Sequence, residues 1–140
     1  MKSCIIAGEG NLPILLAEKN KDFIVISISS LSVSKRFKNV TYMVDMLDFD
    51  KMIKIFKTHD IKNLIFAGKF YRTKNYKKKV SKEVKKILDE TKFLGDDSTL
   101  KKIKEFFEKK GFKIFSPNTL IKNNFKGNEI IFNKKINSNE

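Results

Sequence analysis

The chain reads as an α/β domain built on a mostly parallel sheet with helices on both faces, and three observations carry that reading. Short β-rich apolar runs recur at Ser3–Ala7, Phe23–Ile28 and Asn63–Ala67, amphipathic helical stripes fall between the runs, and no two-residue hairpin turn joins neighbouring strands. Strands separated by helices need crossover connections, and crossovers build parallel sheets with helices packed on their faces.

Ser3–Ala7 is continuously apolar up to a glycine, the pattern of a strand buried on both sides. After a turn at Gly8–Asn11, Pro13 suits the first turn of a helix running to about Asn20, since its φ is already helical and its missing N–H would have had no partner there. Phe23–Ile28 is the second strand and the serine-rich Ser29–Ser34 the loop beyond it, followed by a weaker strand at Val40–Val44. Phe49, Met52, Ile53 and Phe56 recur at i, i+3, i+4 and i+7, which sets them on one face of a helix with lysines opposite. Asn63–Ala67 is a buried strand stopped by Gly68. Val80, Val84, Ile87 and Leu88 form one further stripe, and Leu100, Ile103, Phe106 and Phe107 another. The latter helix ends in Lys109-Lys110-Gly111, where cations and a glycine suit a helix C-terminus, and Phe112–Phe115 is the last strand. Beyond Lys122 the chain turns polar, with Ile130-Ile131-Phe132 as an isolated apolar patch that needs something to pack against.

A chain of 140 residues, 41% hydrophobic and 33% charged, fits one domain and excludes a second full one. Cys4 is the only cysteine, so neither an intrachain disulfide nor a cysteine-based zinc site is available, which suits a reducing compartment. No apolar run approaches the roughly 18 residues that a membrane span needs, and the short N-terminal run lacks the features of a secretory signal. A soluble, unexported protein is expected.

The net charge is +14, from 30 basic and 16 acidic residues, and such a surface attracts anions. Only Arg36 and Arg72 are arginines, however, and the chain is also rich in Asn, Ile and Phe, a composition that AT-rich codons produce. Lysine lacks the planar fork that suits phosphate and base recognition. A lysine-biased solvated surface is therefore preferred to a dedicated nucleic-acid face, including along the basic run Lys74–Lys86 with Tyr71 and Tyr76 nearby.

In an open parallel sheet, ligands bind beyond the carboxyl ends of the strands, so the loops there carry the functional candidates. Gly8-Glu9-Gly10-Asn11-Leu12-Pro13 permits a tight turn and close approach of an anion to helix N-terminal amides; the same turn serves equally as a plain connection. It is not a dinucleotide fingerprint, because Pro13 stands at the third glycine position and no acidic residue ends the second strand, and it is not a Walker loop. The second loop, Phe66-Ala67-Gly68-Lys69-Phe70-Tyr71-Arg72, offers two cations three residues apart for phosphate. The third candidate is Gly95-Asp96-Asp97-Ser98, whose carboxylates could hold Mg²⁺ beside a substrate phosphate, although spacing alone favours capping of the helix that follows. His59 reads as a lone surface histidine and Cys4 as a core residue.

Taken together and in this order, Ile-Ala-Gly-Glu-Gly-Asn-Leu-Pro at Ile6–Pro13, Phe-Ala-Gly-Lys at Phe66–Lys69 with Arg72 behind it, Gly95-Asp96-Asp97 opening a helix through Leu100, and Gly111-Phe112 before the last strand resemble the N-terminal domain of the LpxI-type UDP-2,3-diacylglucosamine pyrophosphatase family. The resemblance covers about residues 3–125. It implies a Rossmann-like domain of a lipid A enzyme, cytoplasmic and peripheral to the inner membrane. That enzyme hydrolyses UDP-2,3-diacylglucosamine, with Mg²⁺, to 2,3-diacylglucosamine 1-phosphate (lipid X) and UMP. It further implies that Gly8, Gly10, Asn11, Leu12, Gly68, Lys69 and Arg72 enclose substrate and that Asp96 and Asp97 order the site or its metal. The family's catalytic aspartate belongs to a second, C-terminal domain outside these residues, so no catalytic residue is expected in this chain. Residues 126–140 would be a polar tail or the start of the linker to that domain, and the chain alone should fold yet hydrolyse little. Thr73 in place of proline, Tyr71 in place of a cation and Ser98-Thr99 in place of a small apolar pair depart from the family pattern. A homodimer is left open. The competing reading is a free-standing module that binds a nucleotide or sugar phosphate without turnover.

Overall fold

The computed structural model describes residues 2–28, 35–71, 81–91 and 95–122. Five strands, β1 (Lys2–Ala7), β2 (Ile24–Ser27), β3 (Thr41–Met43), β4 (Ile61–Ala67) and β5 (Lys113–Phe115), form one sheet in the order β3-β2-β1-β4-β5. Every neighbouring pair is parallel, as the crossover argument requires. The chain runs outward from β1 to β3, then returns across the sheet to place β4 beside β1. The order of strands therefore reverses between β1 and β4.

Alternation along the strands divides the core in two. Cys4, Ile6, Ile24, Ile26, Leu64 and Phe66 face the helices α2 (Phe49–Thr58), α3 (Lys82–Glu90) and α4 (Asp96–Lys109). Ile5, Ala7, Val25, Ile65 and Ala67 face α1 (Leu12–Lys19) and α5 (Pro117–Lys122). A strand whose odd and even residues are both apolar has to be covered on both sides, and these two groups of helices supply the cover. The larger core centres on Phe107, fully buried, whose ring meets those of Phe49, Phe56, Phe106 and Phe112 at centroid distances of 5.1–6.1 Å.

Where elements differ from the sequence reading, local chemistry supplies the reason. β4 begins two residues earlier than its apolar run, at Ile61, because Ile61 pairs with Lys2 across an irregularity at the start of β1. β3 is shorter than Val40–Val44, and its side chains are half-buried or exposed, as befits an edge strand. The sequence reading has no counterpart to α5, a single short helix after β5. Its Pro117 stands at the first position, Ser116 Oγ accepts the Asn118 amide at 3.1 Å, and Leu120 is fully buried against the α1 side of the sheet. His59 is half-buried at the C-terminus of α2, with Nε2 at 2.7 Å from the Tyr42 hydroxyl, and so is not a lone surface histidine. Cys4 lies in the core as expected, and burial pushes its thiol far above the usual range. Residues 29–34, 72–80, 92–94 and 123–140, including the Ser29–Ser34 loop, Arg72, Tyr76, Val80, part of the lysine run and the Ile130–Phe132 patch, lie outside the described residues.

Candidate functional site

The two glycine loops meet at the point where strand order reverses. They leave the carboxyl ends of β1 and β4 side by side and then cross, forming an isolated antiparallel bridge between Glu9 and Lys69. The Glu9 amide donates to Lys69 O at 2.9 Å, the Lys69 amide donates to Glu9 O at 2.8 Å, and the Gly8 amide donates to Ala67 O at 2.8 Å. This crossing accounts for the glycines. A Cβ on Gly8 would lie 2.4 Å from Lys69 O, and one on Gly68, where φ is +94°, would lie 2.8 Å from Glu9 O and 2.9 Å from the Pro13 ring. The amides of Gly8, Glu9 and Lys69 are thus committed to holding the loops together. Gly8 and Gly68 shape the site through the approach of one backbone to the other.

The crossed loops form one wall of a cleft of about 190 Å³, whose lining includes Gly8, Glu9, Asp45, Met46, Lys69 and Tyr71. Phe70 and Ile28 complete its apolar floor. A smaller apolar hollow continues from it, sharing Met46, Phe70 and Tyr71 and adding Leu88, Leu100 and Asp96. The Gly8, Gly68 and Asp96 neighbourhoods therefore lie along one rim, at the strand ends. Gly10 is exposed with φ +111° and open space around it. Asn11 precedes α1 but makes no side-chain cap; its Oδ1 instead accepts from Arg36 Nη1 at 3.3 Å. The Leu12 side chain packs against the α1-side core, so it supports the loop from behind.

Asp96 and Asp97 occupy the first turn of α4, where negative charge complements the helix dipole, and the cap position itself belongs to Gly95 at φ +125°. Asp97 and Glu108 both bear electrostatically on Lys104, whose ammonium lies 5.7 Å from the centre of the Phe66 ring. Burial lowers the Lys104 pKa, and these two carboxylates only partly offset the effect. Among the described residues no three His, Cys, Asp or Glu side chains converge to hold a metal.

Sequence reasoning missed Asp45 and Met46, which follow β3, and Ile28, which follows β2. The strand-end rule alone could have flagged them. It also passed over Arg36, for which arginine scarcity was the available signal. Asp45 Oδ1 accepts the Leu47 amide at 2.8 Å, which fixes the turn that presents Met46 to the cleft. The arrangement suits binding more than bond breaking: it combines an apolar wall, a lysine, acidic groups at the rim and a rigid double loop.

The fold and site thus define a parallel α/β domain with a ligand cleft at the reversal point of its sheet. The chain belongs to the LpxI N-terminal domain family, whose model matches residues 2–124, and so to an enzyme family of lipid A biosynthesis. No curated protein matches the chain.

Proposed function

We propose that this domain cradles UDP-2,3-diacylglucosamine for hydrolysis to 2,3-diacylglucosamine 1-phosphate and UMP, with the catalytic carboxylate supplied by a second domain. The observation that carries the reading is the convergence of the Gly8, Lys69 and Asp96 neighbourhoods on one cleft with a polar end and an apolar end. A glycolipid nucleotide has the same two-ended chemistry. On this reading Lys69 faces the diphosphate, Gly10 and Asn11 border it, and Met46, Phe70 and Leu100 meet the lipid side. Arg72 would join Lys69 from the same loop, and Asp96 and Asp97 order the rim.

Mg²⁺ is part of the proposed reaction, where it would stabilise charge developing on phosphate oxygens. The described carboxylates do not form a metal cage by themselves, so no step is assigned to the ion here. Work at the cytoplasmic face of the inner membrane is part of the same proposal; no described helix is long and apolar enough to cross a membrane, and the basic surface suits an approach to anionic lipid. The test is UMP release from UDP-2,3-diacylglucosamine with Mg²⁺ by this chain joined to a C-terminal domain of the family. Release that falls at least tenfold in Lys69→Ala supports the reading, and an inactive intact protein contradicts it.

A further inference from the structure

A groove of about 310 Å³ lies between α1 and residues 36–39. That volume is at the lower end of the roughly 300–1,000 Å³ typical of small-ligand sites. Ile14, Ala17 and Phe37 give it an apolar floor, and Lys21, Arg36 and Lys38 stand around it against one carboxylate among the described residues, Glu18. The groove is held in shape. Asn39 Nδ2 lies 3.3, 3.1 and 3.0 Å from the carbonyls of Ala17, Asn20 and Phe23, which pins the 36–39 segment to the end of α1.

Arg36 is the notable member. It is one of two arginines among 30 basic residues, in a chain that otherwise uses lysine for its cations. An arginine offers what lysine cannot, a planar fork of donors matched to two oxygens of a phosphate. Its Nη1 donates to Asn11 Oδ1 at 3.3 Å, 25 residues away in sequence. No carboxylate lies within ion-pair distance of it among the described residues. One edge of the guanidinium is thus anchored to the glycine loop, whose Gly8 and Glu9 also line the cleft.

We propose that Arg36, steadied by Asn11, recognises phosphate together with Lys69 and binds the diphosphate of a nucleotide ligand where the groove meets the glycine loop. Lys21 and Lys38 add the positive field that a diphosphate needs, and the apolar floor borders the remainder of the ligand. The assignment rests on the reading that the domain holds a nucleotide-linked substrate, and it names the end of the site that takes the charged part.

The test titrates the 140-residue chain with UDP and, separately, with inorganic pyrophosphate at fixed salt, following binding by calorimetry. Arg36→Lys keeps the charge and loses the fork; it should weaken both probes at least tenfold, and Arg36→Gln should do at least as much. Asn11→Ala, which frees the guanidinium, should weaken them about three- to tenfold, whereas Lys57→Gln on α2 should change them less than twofold. The urea midpoints of these surface variants should match the parent chain. Binding by Arg36→Lys within twofold of the parent overturns the assignment, as does absence of saturable binding of either probe to the parent, or a UDP effect that pyrophosphate does not share. If both probes depend on Arg36 but UDP-2,3-diacylglucosamine does not bind, the proposed function fails and the phosphate site stands. If the lipid substrate binds Arg36→Lys as tightly as the parent, the phosphate site fails and the proposed function stands.

Discussion

Replacing Gly8 by alanine tests whether the crossing of the two strand-end loops builds the site. The added Cβ would lie 2.4 Å from Lys69 O and 2.9 Å from Lys69 C, inside van der Waals contact with backbone that cannot rotate away. The Lys69 main chain is held by its two bonds to Glu9 at 2.8 and 2.9 Å, so relief of the clash has to break or stretch them. Overpacking of this kind costs about 1–3 kcal/mol, and each of the two bonds lost adds about 0.5–1.5 kcal/mol, for a total of roughly 2–6 kcal/mol. With a urea m-value of about 2 kcal/mol/M, the unfolding midpoint should fall by roughly 1–3 M. Gly111→Ala is the control, because Gly111 has φ +101° but nothing within 4 Å of an added Cβ. It suffers backbone strain alone, about 1–2 kcal/mol. Urea unfolding followed by circular dichroism measures both. If Gly8→Ala is no less stable than Gly111→Ala, the loops do not clasp as described, and the glycine at position 8 has to be explained by a ligand instead.

Three further outcomes follow from the packing. Phe107→Ala empties the centre of the larger core and should cost about 3–5 kcal/mol, read as a lower urea midpoint at unchanged m; a loss under 1 kcal/mol would contradict the ring cluster around it. Asn39→Ala removes the donor shared by the carbonyls of Ala17, Asn20 and Phe23 and should cost about 1–3 kcal/mol, with amide exchange at the end of α1 becoming faster. Lys104→Met should raise stability at neutral pH, because burial holds the Lys104 pKa below its ordinary 10.5. Between the lowered folded value and 10.5 the unfolded chain binds more protons than the folded one, so parent stability rises with pH through that window. The advantage of methionine should therefore shrink on going from pH 7 to pH 10.5, and a constant difference would contradict the desolvated lysine.

Much of the fold was legible because its strands are buried on both faces. Ser3–Ala7 and Asn63–Ala67 carry no polar alternation, so they could belong only to the middle of a covered sheet, and they pair with each other there. The Phe49, Met52 and Phe56 stripe was equally plain, and all three side chains are buried. Pro117–Lys122 was not legible, since a single short helix has no period to detect. At the site, motif order pointed to two loops that the fold brings together, but not to what the glycines do. Gly8 meets Lys69 across 61 residues of sequence, and only the strand order puts them together. Asp45 and Met46 were missed for a related reason: β3 is a weak, half-exposed edge strand, so the loop leaving it carried no signal. Arg36 was visible as a rarity, but its bond to Asn11 depends on how residues 36–39 fold back over α1.

The most direct measurement of the central claim is an NMR titration of the chain with UDP-2,3-diacylglucosamine, following backbone amides. Saturable shifts concentrated at Gly8–Leu12, Arg36–Asn39, Asp45–Met46, Lys69–Tyr71 and Asp96 are predicted, with the amides of α2 and of β5 unmoved. Shifts centred away from the strand-end cleft and the adjoining glycine loop, or no saturable binding, would contradict the account.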